Sequence, residues 1–510
     1  MANTLFKTYT NEHGGRAILL FLLFGLSIYQ FIHAGFPVFA IICLSPLLVL
    51  AVYVLFSYKT TAFWALIFIN YFVQFFDKQR LLPSGIPMSM YNELLEILLL
   101  AIAIVDTREK PHFERTANFM LLTLMVWCGF CTLEVLNNTC GLGINVGAWY
   151  QGARLMAFQI LYAFLVFSIY IDTPNMLVKY LFFWACICLF SVFWVWKQQY
   201  IGFTATENAW LQGRARATHV LQGGTLIRYF STYSDAANFG IGIASAAIAF
   251  LIFGITAKIK KFKRFFLIAG LACTWAMFPS GTRTAMACLM AGILVYVFLS
   301  KSVKIATFVS IFGGIAFFIL AFTNIGQGNQ QIRRMRSMFD KSDASSNVRT
   351  INQRTMKKYM AEAPWGIGLG MGMNQVPANN KYAIMSVIPA DSEYVFIWLR
   401  TGRIGITLFL ILTALMFAGA CVIVLFRLNS RSLRGIGAGL CSAFVSIQLG
   451  AYGNEVLMQF PNCLVFYGGL SIVYLLPHLE KEWIEYENGQ LAIEAEKKRL
   501  KLEKKLASRV

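Results

Sequence analysis

The sequence predicts an all-α polytopic integral membrane protein with about 12–14 spanning helices, and three observations carry that expectation. The first is charge scarcity. Of 510 residues, 13% are charged and 58% hydrophobic, and the mean hydropathy is +0.61. A soluble domain carries about 25% charged residues, so half that level cannot cover a soluble surface of this size. The second is that the apolar residues fall in long, nearly uncharged runs, each near the roughly 18 residues that cross a bilayer as a helix. A membrane barrel would show alternating segments of about ten residues, and none is present. The third is sidedness: every strongly basic short loop falls on one side once the runs are made to alternate.

Taken in order, the runs lie near 17–34, 36–56, 61–76, 91–106, 117–135, 153–171, 177–199, 235–256, 265–280, 284–299, 303–323, 404–426, 435–453 and 462–476. The run at 61–76 is among the shortest. Glu93, Glu96 and Arg154 sit near run ends, where they are expected to reach the interface. With the N-terminus in the cytoplasm, Arg108 to Arg115, the loop with Lys258, Lys260, Lys261, Lys263 and Arg264, the pair Lys301 and Lys304, and Arg427, Arg431 and Arg434 all face the cytoplasm. Two longer loops, 200–234 and 324–392, then lie outside. Residues 1–476 form one transmembrane domain that includes both loops. The tail, 477–510, mixes Glu and Lys at helical spacing and reads as a solvated cytoplasmic helix with paired charges.

The formal net charge of +20 is explained by orientation of the helices, and no nucleic-acid partner is expected. Most of the 11 cysteines lie inside apolar runs and read as small buried hydrophobes. Cys128 and Cys131 have CxxC spacing but no second pair, so no metal is expected. Met1 to Arg16 is polar and precedes a spanning run with no clear cleavage site, which reads as an uncleaved anchor.

Arginines on the outer side run against the orientation rule and need another cause. Arg214, Arg216, Arg228 and Arg283 lie in or beside the first outer loop or at helix ends; Arg333, Arg334, Arg336, Arg349 and Arg354 lie in the second. Arg283 stands in Pro279-Ser280-Gly281-Thr282-Arg283-Thr284, a tight break between two runs. A guanidinium at an interface is costly unless solvated or paired, and its planar fork suits a phosphate. In the large loop, Asn347 to Met360 reads as a helix. Pro364 stops it, and Gly366, Gly368 and Gly370 at alternate positions allow close backbone approach. Asp391-Ser392-Glu393 then enters an apolar run interrupted by Arg400, Gly402, Arg403 and Gly405. Such carboxylates serve either as helix N-terminal charges or as proton acceptors.

Four of these stretches together resemble the O-antigen ligase and O-antigen polymerase superfamily of bacterial surface polysaccharide assembly. They are Arg228 to Gly240 (RYFSTYSDAANFG), Ser280 to Thr284 (SGTRT), Arg349 to Gly370 and Asp391 to Gly405, in matching order over roughly 220–410. The resemblance implies a GT-C-like membrane glycosyltransferase without cofactor or metal, in the bacterial inner membrane, with its active site in the periplasm and both termini in the cytoplasm. Its donor would be a glycan on a polyprenyl (undecaprenyl) diphosphate. Its acceptor would be another lipid-linked unit in a polymerase or lipid A-core in a ligase; membrane lipids and other polysaccharide-assembly proteins are further partners. On this reading Arg228 and Arg283 hold the diphosphate, and Arg349 and Asn238 contact donor or glycan. Asp391 is the general base, with Glu393 the other carboxylate that could serve. One departure bears on the choice: the ligases place a His-Asn pair where this chain has Asp391-Ser392, and the nearest outer histidine, His219, lies in a different loop. The carboxylate form favours a polymerase. A flippase for lipid-linked oligosaccharide is a rival reading, but the charged residues gather at one face rather than along a path, and no related halves are visible.

Overall fold

A computed structural model describes residues 59–82, 87–106, 111–213, 215–221, 226–302, 344–372 and 375–507, together with isolated positions between 22 and 53 and between 304 and 333. The chain divides into two compact units, Met1–Trp64 and Ala65–Val510. The expected runs at 17–34, 36–56 and 303–323 fall mostly outside the described residues. Every element from Met88 onward belongs to the second unit.

Among the described residues, nine helices are long and apolar enough to cross a membrane, and strand is limited to one two-residue hairpin. The protein is therefore an all-α polytopic membrane protein. The helices are α1 (Lys59–Lys78), α2 (Met88–Val105), α3 (Phe119–Leu133), α4 (Val146–Tyr170), α5 (Pro174–Tyr200), α6 (Ala205–Gln212), α7 (Ala236–Thr256), α8 (Lys260–Ala276), α9 (Arg283–Ser300), α10 (Ala344–Met360), α11 (Glu393–Val422), α12 (Arg431–Gly453) and α13 (Asn462–Ala507). Local chemistry sets several starts. Asn118 accepts from Met120 N and Leu121 N, Thr173 from Met176 N just before Pro174, and Asp235 from Ala237 N and Asn238 N. Each answers amide donors that an isolated helix start leaves open.

Helix α7 is the centre of the bundle. It packs against α8, α9 and α12, and α12 packs on against α13. In lipid there is little hydrophobic force between helices, so close approach through small residues replaces it. Gly435 on α12 shows this: a Cβ there would stand 1.9 Å from Thr256 Oγ1 on α7.

The described parts of the two long loops, near 200–234 and 344–392, are folded rather than extended. Residues 200–234 hold α6 and the hairpin β1 (Val220–Leu221) with β2 (Leu226–Ile227), over a small core of Leu211, Phe230 and Ala236. The second contains α10 and an apolar cluster of Met356, Met360, Ala363, Ile367, Tyr382 and Leu399, among others.

Two expectations are corrected. Glu93, Glu96 and Arg154 do not reach the interface; they are buried. Arg154 Nη1 pairs with Glu93 Oε2 at 3.0 Å, its Nη2 donates to Ser89 Oγ at 2.7 Å, and Tyr150 donates to Glu93 Oε1 at 3.0 Å. Burial of both charges is tolerable because each meets the other. The tail, in turn, does not begin as a solvated segment. It continues the last span as one 46-residue helix through Pro477, with Trp483 and Glu487 buried. Glu480 Oε1 accepts from Asn429 N and Ser430 N at 2.6 and 2.7 Å, Glu487 pairs with Lys258 at 2.7 Å, and Glu494 accepts from Lys260 N and Lys261 N at 3.4 and 3.3 Å. The three carboxylates stand seven residues apart and therefore share one face of α13.

Candidate active site

The candidate residues gather where several chain ends meet: the starts of α7, α9, α11 and α13 and the end of α12. Arg228 follows the hairpin strand β2, and its backbone N–H donates to His219 O at 2.9 Å. Its guanidinium joins two turns. Nε donates to Ser280 O at 3.2 Å, Nη1 to Thr218 O at 3.1 Å and Nη2 to Thr282 Oγ1 at 3.0 Å. Thr282 Oγ1 in turn donates to Ala236 O at 2.9 Å. The first outer loop, the Ser-x-x-Arg turn and the start of α7 are thus one unit. Arg283 is the first residue of α9 and half-buried.

Arg349 approaches the same place from α10. A Cβ on Gly453, at the end of α12, would stand 3.8 Å from Arg349 Nη1 and 3.3 Å from Thr284 Oγ1. Asn454 Nδ2 donates to Thr284 Oγ1 at 3.4 Å. Thr284, the neighbour of Arg283 in the chain, and Arg349 therefore border Gly453 and Asn454. Arg214, Arg334 and Arg336 lie outside the described residues, and Arg354 is exposed.

The carboxylates differ in setting. Asp391 is half-buried with φ 55°, a left-handed conformation that Asp tolerates better than most residues. Glu393 is buried, and its Oε2 accepts from Leu457 N at 3.0 Å. It holds the loop between α12 and α13. Glu455 in that loop carries no signal in the sequence. Burial raises its pKa above the ordinary carboxylate range, the Asp391 charge raises it further, Arg400 opposes, and Asp235 adds a smaller push upward. These effects place Asp391, Glu455 and Arg400 within electrostatic reach of one another. Arg400 Nη1 is buried with no hydrogen-bond partner among the described residues.

Asn238, near the start of α7, has no exposed surface. Its Nδ2 donates to Ser234 Oγ at 2.7 Å and Phe460 O at 3.2 Å, and its Oδ1 accepts from Asn462 Nδ2. Helix α7 is thereby tied to the start of α13.

Two further groups escape sequence reasoning. Lys78, at the end of α1, is buried; its ammonium donates to Tyr233 O and stands 4.1 Å from the ring centroids of both Trp210 and Phe230. Burial pulls its pKa down to about 7, against the opposing pull of Asp235, Glu207 and Asp77. A lysine at the end of the run 61–76 that the alternation of runs puts outside, against the orientation rule, is the signal that could have found it. His219 is buried, and its Nε2 accepts from Ala236 N at 3.1 Å, so it answers a donor at the start of α7. Burial first, then Arg228, hold its pKa down to about 4, with Asp235 opposing and Lys78 adding to the depression.

A histidine depressed in the folded state contributes stability that is complete above its ordinary value near 6.5 and is lost as pH falls towards 4. The loss is about 3 kcal/mol. The melting temperature of the purified protein should fall over that window, and His219→Gln should flatten the dependence. An unchanged pH dependence in the variant would remove His219 as its source.

A break in α11 docks the glycine loop. Gly402 has φ 66° and ψ −168°, inside what is otherwise one helix. The break opens backbone carbonyls at Leu399 and Arg400, and the glycine loop takes them: Ile367 N donates to Leu399 O at 2.9 Å and Gly368 N to Arg400 O at 3.1 Å. Ile404 N donates back to Pro364 O at 3.3 Å. The loop also approaches α4, where a Cβ on Gly370 would stand 2.2 Å from the Ala148 carbonyl carbon. Two of the three alternate glycines, Gly366 and Gly370, thus mark close backbone approach.

Fold and site together define a polytopic membrane protein whose arginines and carboxylates meet at one end of its helices. The family model described as O-antigen ligase matches residues 268–410, from α8 through the large loop into α11. The match covers less than half of the chain and marks that segment as similar to the O-antigen ligase family. No curated protein matches the chain.

Proposed function

We propose that the protein is a membrane glycosyltransferase that moves a glycan from a polyprenyl diphosphate carrier to an acceptor hydroxyl on the periplasmic side of the bacterial inner membrane. The observation that supports the reading is that Arg228, Arg283 and Arg349 stand at linked helix ends, with Thr284 and Arg349 beside Gly453 and Asn454, next in the chain to Glu455 and its neighbours Asp391 and Arg400. The basic segments around Lys258, Lys301 and Arg431 follow or precede the opposite ends of α7, α9 and α12, which supports putting the site on the outer side.

Nucleotide sugars are absent from that compartment, so the donor must arrive with its leaving group attached. The acceptor oxygen attacks the anomeric carbon while the bond from that carbon to the phosphate oxygen breaks. The diphosphate leaves with the electron pair, and the hydroxyl proton passes to a carboxylate. Arg283 and Arg228 neutralise the growing phosphate charge, a role for which fixed cations in a partly dehydrated site are well suited. Arg349 contacts the donor, and Arg400 adds positive charge beside the carboxylates. Asp391 is the general base. Glu455 is its neighbour, and Glu393 and Asn238 hold the α12–α13 loop in place. The carboxylate at position 391 favours a polymerase, with another lipid-linked unit as acceptor; the alternative is a ligase acting on lipid A-core.

The test uses cells lacking the gene, complemented with wild type or Arg283→Ala at equal membrane level, with the surface glycan resolved by size. Loss of long glycan with single lipid-linked units accumulating is the expected result. Long glycan that stays on the carrier and is missing from lipid A would instead assign the ligase reaction. A normal ladder would overturn the enzyme reading at this site.

A further inference from the structure

At the other end of the bundle lies a cavity of about 310 Å³ that the proposed reaction does not use. It sits where α9 ends and α12 begins, and Tyr296, Ser300, Ser302, Arg431 and Arg434 are among its lining residues. Its volume is at the lower end of the range of small-molecule pockets, about 300–1,000 Å³. Arg431 and Arg434 are three residues apart and share a face of α12. Neither has an ion-pair partner among the described residues. The nearby N–H groups of Asn429 and Ser430 are already taken by Glu480, and the guanidiniums are the charged donors of the cavity.

Orientation of the helices explains why arginines stand at this end. It does not explain why two of them line one cavity together with a tyrosine and two serines. The geometry points to a binding site for a phosphate-bearing anion, in which Arg431 and Arg434 grip the phosphate, with the headgroup of an anionic membrane lipid as its occupant. Two guanidiniums on one face suit phosphate oxygens in a way that point charges do not. Both walls are ends of candidate membrane-crossing helices, which is the depth of headgroup phosphates in a bilayer. The leaflet on the basic side is also the one whose anionic lipids attract such clusters.

The test uses the full chain in neutral detergent, mixed with phosphatidylglycerol or phosphatidylcholine and weighed intact by native mass spectrometry, with and without millimolar inorganic phosphate. Phosphatidylglycerol should be retained in preference to phosphatidylcholine, and Arg431→Gln with Arg434→Gln should lower that retention about tenfold. Arg431→Lys with Arg434→Lys, which keeps the charge and the fold, should lose part of the preference and serves where the glutamine pair assembles poorly. Equal retention of both lipids, or unchanged retention in the paired variants, would overturn the site. Displacement by inorganic phosphate without any lipid preference would assign the cavity to a soluble phosphate and overturn the lipid as occupant.

Discussion

Asp391→Asn should lower turnover of a lipid-linked donor by about 10²–10⁴-fold, the usual contribution of a positioned general base, while leaving the protein at its normal level in the membrane. Asp391 is half-buried and lies close enough to Glu455 to raise that residue's pKa. Glu393 is bound to the Leu457 amide and is less available to a substrate. The pH profile separates the two open carboxylates. If Asp391 takes the proton, its amide variant is slow at every pH. If Glu455 takes it, Asp391→Asn removes a charge that had raised the Glu455 pKa, so the acid limb of the profile moves to lower pH with most of the maximal rate kept. Glu455→Gln then becomes the slow variant. Full activity in both amide variants would sink the base assignment altogether.

The second large effect is expected at Gly402, which touches no substrate in the proposed reaction. Its backbone lies in a region that only glycine occupies without strain, at a cost of about 1–3 kcal/mol for other residues. A Cβ there would also stand 2.0 Å from Pro364 O and 2.4 Å from Gly366 N, and overpacking of that kind adds about 1–3 kcal/mol. Gly402→Ala should therefore cost about 2–6 kcal/mol and release the glycine loop from α11. Protease cleavage between α10 and Asp391 in membranes, compared with wild type, reads that release directly. An alanine variant with unchanged cleavage and activity would show that the break in α11 does not depend on glycine.

Gly402 also shows what is legible in sequence alone. Length and hydropathy place the runs near 91–106, 177–199, 235–256 and 284–299 within a few residues of α2, α5, α7 and α9, because crossing a bilayer demands a fixed length of apolar chain. The run at 404–426 begins too late: the observed helix starts at Glu393. Arg400 and Arg403 make its first turns look like loop, and a local reversal at one glycine leaves no trace in hydropathy. The arginine turn at 280–284 is visible because a charge there defies the orientation rule. Glu455 is invisible because one acidic residue in a short outer link defies nothing. The Glu93–Arg154 pair is hidden because each charge, taken singly, lies close enough to a run end to look solvated. Partners 61 residues apart become evident in three dimensions alone.

The last helix has a mechanical consequence. It is one rod from Asn462 to Glu494 and beyond, and those two residues stand about 48 Å apart along its axis at 1.5 Å per residue. Asn462 grips Asn238 near the start of α7, while Glu480, Glu487 and Glu494 are fastened to the basic loops. A helix anchored at both ends links the two faces, so a torque applied to the tail, by a protein that grasps it or a fusion that drags on it, has one continuous element, interrupted in its hydrogen bonding at Pro477, along which to reach the asparagine pair.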